Sequence, residues 1–231
     1  MWDDTAIGGP NDRFPSTQLS LLEAATAGLS DEALERVIAV YWKPVYRFLR
    51  LKFGTNNEDA KDLTQSFFAT ALQRDFFARF DPLQASFRTY LRMAVERFAA
   101  NQHAAANRQK RGGNVDFEPL DEHAVATDSP EQVFEREWQR QLFELAVQDL
   151  RAYCDSCAKQ LHFAIFEAYD LGDESRRSYA QLAERYGVPE TAVTNYLAWA
   201  RRILRGFVDA RLRGVTSSDR EFRAESRKLW T

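Results

Sequence analysis

The sequence predicts an all-α protein built as two small helical domains, an N-terminal helical bundle and a C-terminal helix-turn-helix domain, joined by a flexible acidic linker. Three observations carry that prediction. Apolar residues recur at three- and four-residue steps along most of the chain, and no stretch alternates convincingly with period two. Residues 114–130 are acidic, hold two prolines and lack periodicity. Residues 178–205 have the form of a helix-turn-helix. A length of 231 residues, against roughly 150 per domain, fits one large or two small domains.

The elements follow in order. From Ser30, an N-cap residue, Leu34, Val37, Ile38, Tyr41, Val45, Phe48 and Leu49 mark one face of a helix that ends at Gly54, with Pro44 predicting a kink. A second helix starts near Asn57, carries Ala60, Leu63, Phe67, Ala71 and Leu72 on one face and stops before Asp81-Pro82. A third runs from about Ser86 with Phe87, Leu91, Ala94, Val95 and Phe98 inward and dissolves at Gly112-Gly113, closing an N-terminal domain over 16–113. Beyond the linker, Ser129-Pro130-Glu131 opens a helix with Val133, Phe134, Trp138, Leu142, Leu145, Ala146 and Leu150 on its apolar face. Another covers Leu161 to Leu171. In the helix-turn-helix, Ala180, Leu182 and Ala183 pack the first helix, Gly187 turns the chain, Val188 plugs the core, and Val193 and Leu197 bury the second helix. The C-terminal domain spans 131–212 and leaves a tail over 213–231.

Composition excludes several classes. With 45% apolar, 13% aromatic and 28% charged residues the chain is neither a disordered tail, nor a collagen, nor a disulfide-stapled miniprotein. The start, with Asp3 and Asp4, lacks the basic-then-apolar signature of an export signal. The longest apolar run, Val37–Trp42, has six residues against the ~20 of a membrane span. A cytoplasmic protein with no membrane contact is expected. Cys154 and Cys157, with His162, fall one ligand short of a zinc site and read as ordinary thiols, so neither metal nor cofactor is expected. No phosphate-cradling loop, nucleophile pair or carboxylate cluster argues for an enzyme.

The net charge of −3 conceals an uneven distribution. Residues 84–113 hold six basic side chains against one acidic, 114–150 hold two against ten, and 190–231 hold nine against five. Two basic blocks flank an acidic one, which marks separate surfaces for separate partners. In the first block Arg88, Tyr90, Arg92, Arg97 and Asn101 lie among buried positions and continue into Arg108, Lys110 and Arg111. Guanidinium groups beside an aromatic ring suit a single-stranded nucleic acid, the first for backbone charge and the second for stacking; a plain solvated basic face is the competing reading. In the second block Glu190, Thr191, Thr194, Asn195 and Ala198 face outward toward a major groove, with Arg201, Arg202 and Arg205 placed for phosphates.

Asp62-Leu-Thr-Gln65-Ser-Phe-Phe-Ala, Phe80-Asp-Pro, Phe87-Arg-Thr-Tyr-Leu, Gln109-Lys-Arg-Gly-Gly and Ser178-Tyr-Ala-Gln-Leu-Ala through Arg202 occur in an order and spacing that resembles a bacterial sigma factor of the extracytoplasmic-function group, from about Leu34 to Phe207. The resemblance implies that the N-terminal domain docks on the clamp helices of the RNA polymerase β′ subunit through Asp62, Leu63, Gln65 and Phe68. It implies that the same domain captures the melted minus-ten strand, with Phe80, Gln84 and Ser86 in a specificity loop and Arg88, Tyr90, Arg92, Arg97, Asn101, Arg108, Lys110 and Arg111 on the strand or its flanking duplex. It further implies that Thr191, Thr194, Asn195, Ala198, Arg201, Arg202 and Arg205 read the minus-thirty-five duplex, next to a contact with the polymerase β flap. Such a protein is a monomer when free, and an anti-sigma factor or a Ser/Thr kinase stands open as a controlling partner. Two departures stand out. Ala198-Trp199 replaces a His-Arg type pair, removing a phosphate contact, and Arg97 stands where Asn is common near the flipped-base pocket. The competing reading is a free-standing helix-turn-helix regulator that needs no polymerase.

Overall fold

Asn56, Ser86, Ser129, Ser178 and Ser218 each place a side-chain oxygen on an amide of the following first helical turn, and these five caps fix where most helices begin. The computed structural model describes residues 31–73, 76, 79–81, 83–110, 128–172, 177–216 and 218–230. Among them the helices are α1 (Asp31–Phe53), α2 (Asn57–Gln73), α3 (Phe87–Lys110), α4 (Pro130–Ser156), α5 (Gln160–Phe166), α6 (Tyr179–Tyr186), α7 (Glu190–Arg213) and α8 (Asp219–Leu229), with a π-helical turn Glu167–Leu171 directly after α5. The described residues contain no strand, and the protein is all-α as the periodicity predicts. No described helix is long and apolar enough to cross a membrane.

The chain divides into two units, one of Met1–Gln141 with Gly214–Thr231 and one of Leu142–Arg213. The division falls inside α4, eleven residues beyond its start, whereas the sequence pattern places it at the linker. The cause is what the first half of α4 touches. Phe134 meets Phe48 edge-on at 5.9 Å, the Gln141 amide donates to the Ala39 carbonyl at 3.1 Å, and Trp138 lies under Arg88. Residues 213–231, read from sequence as a tail, supply α8 to the first unit.

In the first unit, α1 supplies Ile38, Tyr41, Val45, Tyr46, Phe48 and Leu49, each at most 1% exposed. Against them pack Phe67 and Phe68 of α2 and Leu91, Val95 and Ala99 of α3. The helix continues through Pro44. It stops at Gly54, whose φ of 61° is the left-handed conformation that ends helices.

In the second unit, the end of α4 and helices α5, α6 and α7 close over Leu150, Phe163, Ile165, Phe166, Leu182, Val193, Leu197 and Ala200. Ser178 and Gln181 form a reciprocal capping box at the start of α6. Gly187, at φ 64°, makes the turn into α7, and the Tyr186 hydroxyl donates to the Ala164 carbonyl at 3.2 Å. Two helices joined by a short turn thus stand where the sequence places them.

Candidate nucleic-acid interface

α7 presents one face to the core and another to solvent because its buried residues, Val193, Leu197 and Ala200, recur at four- and three-residue steps. Glu190, Thr191, Thr194, Asn195, Ala198, Arg201, Arg202 and Arg205 are all exposed on the remaining arc. Thr191, Thr194, Asn195 and Ala198 form a continuous row of short side chains at the N-terminal end of the helix, the arrangement that brings polar groups to base edges. Arg201 differs from its neighbours. It forks onto Asp170, Nε at 2.9 Å and Nη2 at 2.8 Å, and that hydrogen bonding pushes its pKa up. Asp170 reaches it from the π-helical turn, where Gly172 is obligatory: a Cβ there would lie 2.7 Å from the Ala168 carbonyl oxygen. Trp199 accounts for one sequence departure, since it turns inward to stack on Tyr153 at 6.1 Å with the Lys159 ammonium 4.8 Å from its ring.

On α3 the buried line is Phe87, Leu91, Val95 and Ala99, and Arg97 and Asn101 stand exposed while Arg92 is half-buried, 3.8 Å from Glu131. Tyr90 is fixed by stacking on Phe76 at 4.8 Å and by donating its hydroxyl to the Phe76 carbonyl at 2.9 Å; burial pushes its pKa up. Phe67, Phe76, Tyr90 and Phe98 floor a pocket of about 340 Å³ rimmed by Arg79, Arg97 and Asn101. That volume lies at the small end of the roughly 300–1,000 Å³ typical of ligand sites. An aromatic floor with two guanidinium groups and an amide at the rim can hold one flat heterocycle and pair its attached phosphate. Arg79 was not among the sequence-predicted site residues; it sits six residues from the previous helix end and no periodicity points to it.

The loop before α3 is organised by Asp81. Its carboxylate accepts from the Leu83 amide and from the Gln84 side chain, each at 2.9 Å, leaving Gln84 and Leu83 exposed, the latter by 90%. Phe80 is half-buried edge-on to Phe87 at 5.3 Å, and Ser86 caps α3. On α2, Asp62 is exposed and Leu63 and Gln65 are half-buried, with Asp62 and Gln65 one turn apart on the same side. The backbone of Arg108 and Lys110 is helical; their side chains, and Arg111 entirely, lie outside the described residues.

Two expected site residues are corrected. Phe68, expected on the polymerase-facing side, is 3% exposed and packed between Trp42, stacked at 5.8 Å, and Phe67, edge-on at 5.3 Å. It is core because α2 buries Ala60, Thr64, Phe67 and Phe68 as one stripe. Arg88, expected on DNA, is 7% exposed. Its guanidinium lies 3.9 Å over the Trp138 ring, its Nε sits between both oxygens of Glu135 at 2.8 and 2.9 Å, and its Nη1 meets the Glu225 carboxylate of α8 at 2.9 Å.

Cys154 is buried, which raises its thiol pKa, and Cys157 is exposed. His162 stacks on Tyr196 at 3.9 Å, and burial lowers its pKa. Among the described residues, no three His, Cys, Asp or Glu side chains converge on a metal position. Compared with protein-family models, curated proteins and solved structures, the chain matches none.

Proposed function

We propose that this protein is a sigma factor of the extracytoplasmic-function type, a cytoplasmic and non-enzymatic subunit that joins core RNA polymerase and directs promoter-specific initiation. The observation that carries the reading is the aromatic pocket of about 340 Å³ rimmed by Arg79, Arg97 and Asn101, because a protein that reads only duplex DNA has no use for it. Extruding a base from the duplex costs a few kcal/mol, and stacking in such a pocket returns about 1–3 kcal/mol per base. Asp62 and Gln65, outward on α2, are the proposed polymerase contact. The exposed row Thr191, Thr194, Asn195 and Ala198 is the proposed duplex reader, with Arg202 and Arg205 toward phosphate.

Co-elution with purified core polymerase and run-off transcription test this directly. Wild type is expected to bind core and support promoter-dependent transcripts, and Asp62→Ala/Gln65→Ala to weaken both by loss of core binding. A wild-type chain that binds duplex DNA tightly alone and never associates with core identifies a free-standing regulator instead.

A further inference from the structure

We propose that the N-terminus of α3 and the Arg88 guanidinium form an anion site, occupied in the free protein by the carboxylates of α8 and available to nucleic-acid phosphate when α8 leaves. The choice of phosphate rests on the promoter-binding reading above; the site itself does not. Glu221 Oε1 accepts from the Phe87 amide, the first of α3, at 2.8 Å, and Glu225 pairs with Arg88 at 2.9 Å. A helix N-terminal amide with a guanidinium beside it is the combination that binds phosphate oxygens, and a carboxylate presents the same oxygens to both. The site is thus filled by two groups of the kind it would select.

The way α8 is held makes it exchangeable. Its one buried residue is Glu225, at 5% exposure, while Phe222, Leu229 and Trp230 are only half-buried. A helix that docks through an apolar stripe resists salt; one that docks through carboxylates is weakened by it. Glu135 and Glu225 both pair with Arg88, and the Lys228 ammonium lies 3.2 Å from Glu225. Arg88 Nη1 and Glu225 Oε2 touch as charges without the alignment of a hydrogen bond, and neither atom has a hydrogen-bond partner. A polyanion that supplies well-aligned oxygens to Arg88 and the Phe87 amide competes on favourable terms.

The experiment uses the full chain and a labelled single-stranded DNA of 12 nucleotides. Hydrogen exchange at the amides of 219–229 is expected to accelerate when the DNA is added. The isosteric E221Q/E225Q variant is expected to bind the strand several-fold tighter than wild type, with a salt dependence steeper by roughly 0.7 for each additional phosphate neutralised. Adding Arg88→Gln should cancel that tightening. Unchanged or increased protection of 219–229 at saturating DNA, or E221Q/E225Q binding no tighter than wild type, overturns the proposal and makes α8 a permanent brace. Run-off transcription on the same preparations separates the two readings: promoter-dependent initiation with α8 still protected removes only the anion site, and release of α8 without any initiation removes only the sigma-factor assignment.

Discussion

Arg88 on α3 and Arg201 on α7 look alike in the sequence, each a basic residue beside a buried helical stripe, yet they meet their carboxylates in opposite surroundings. The Arg201 side chain is 47% exposed and forks onto Asp170 at the surface. That of Arg88 is 8% exposed, sealed between Trp138, Glu135 and Glu225. A surface pair exchanges its carboxylate for phosphate at little cost, because water screens both states. A buried pair does so only by moving the element that covers it. The difference separates α7, whose arginine can change partners at the surface, from α3, whose first turn is already occupied.

The largest effect that can break this comparison is on stability. Arg88→Ala leaves buried Glu225 with only the exposed Lys228 as countercharge and is expected to cost the first unit about 3–5 kcal/mol, whereas Arg201→Ala should cost the second unit under about 1 kcal/mol. Denaturant-dependent hydrogen exchange, resolved by unit, measures both; equal losses would erase the distinction. Next in size is duplex recognition. Thr194→Ala/Asn195→Ala should forfeit about 1–3 kcal/mol of discrimination for each base contact removed and leave strand binding intact, as competition between duplex and single-stranded probes would reveal.

Smaller still is the turn between α6 and α7. Gly187 has open space where a Cβ would go but a φ of +64°, so Gly187→Ala should cost about 1–2 kcal/mol from backbone strain alone, read as a lowered Tm of the second unit. The smallest effects are on pH. Glu131 is held down to about 2 by the hydrogen bond from Lys52, below its ordinary 4.5. Its contribution to the first unit is therefore present above about 4.5 and lost as pH falls toward 2. Burial lowers the pKa of His162, with Lys159 adding to the effect, so its contribution to the second unit is full above the ordinary 6.5 and fades as pH drops below it. Each is expected to stay under about 1 kcal/mol, and on acidification the second unit should begin to lose stability first, a trend that His162→Phe abolishes.

Legibility in the sequence tracked the range of the interaction. The α6–turn–α7 segment could be read residue by residue because Ser178, Gln181, Gly187 and Val188 act within a few positions of one another. The inward faces of α1, α2 and α3 were legible for the same reason. Arg88 was not, because its partners Glu135 and Glu225 lie 47 and 137 positions further along the chain and no local pattern names them. A trace was present in α8 itself, where Glu221 and Glu225 fall one turn apart with Arg220 and Arg223 exposed on other sides. Phe68 adjoins Phe67, and helical spacing alone did not show that α1 would wrap far enough to bury both. The unit boundary inside α4 was invisible because the apolar stripe runs unbroken from Phe134 to Leu150 while its neighbours change.

The proposed division between a strand-holding α3 and a duplex-reading α7 is tested most directly by run-off transcription with core polymerase on two templates, a promoter fragment selected by the holoenzyme and the same fragment pre-melted across its minus-ten region. Thr194→Ala/Asn195→Ala should lower transcription from the duplex template and recover much of it on the pre-melted one, and Arg97→Ala/Asn101→Ala should remain impaired on both. Transcription that ignores both variants, or no promoter-dependent transcript from wild type with core, would contradict the account.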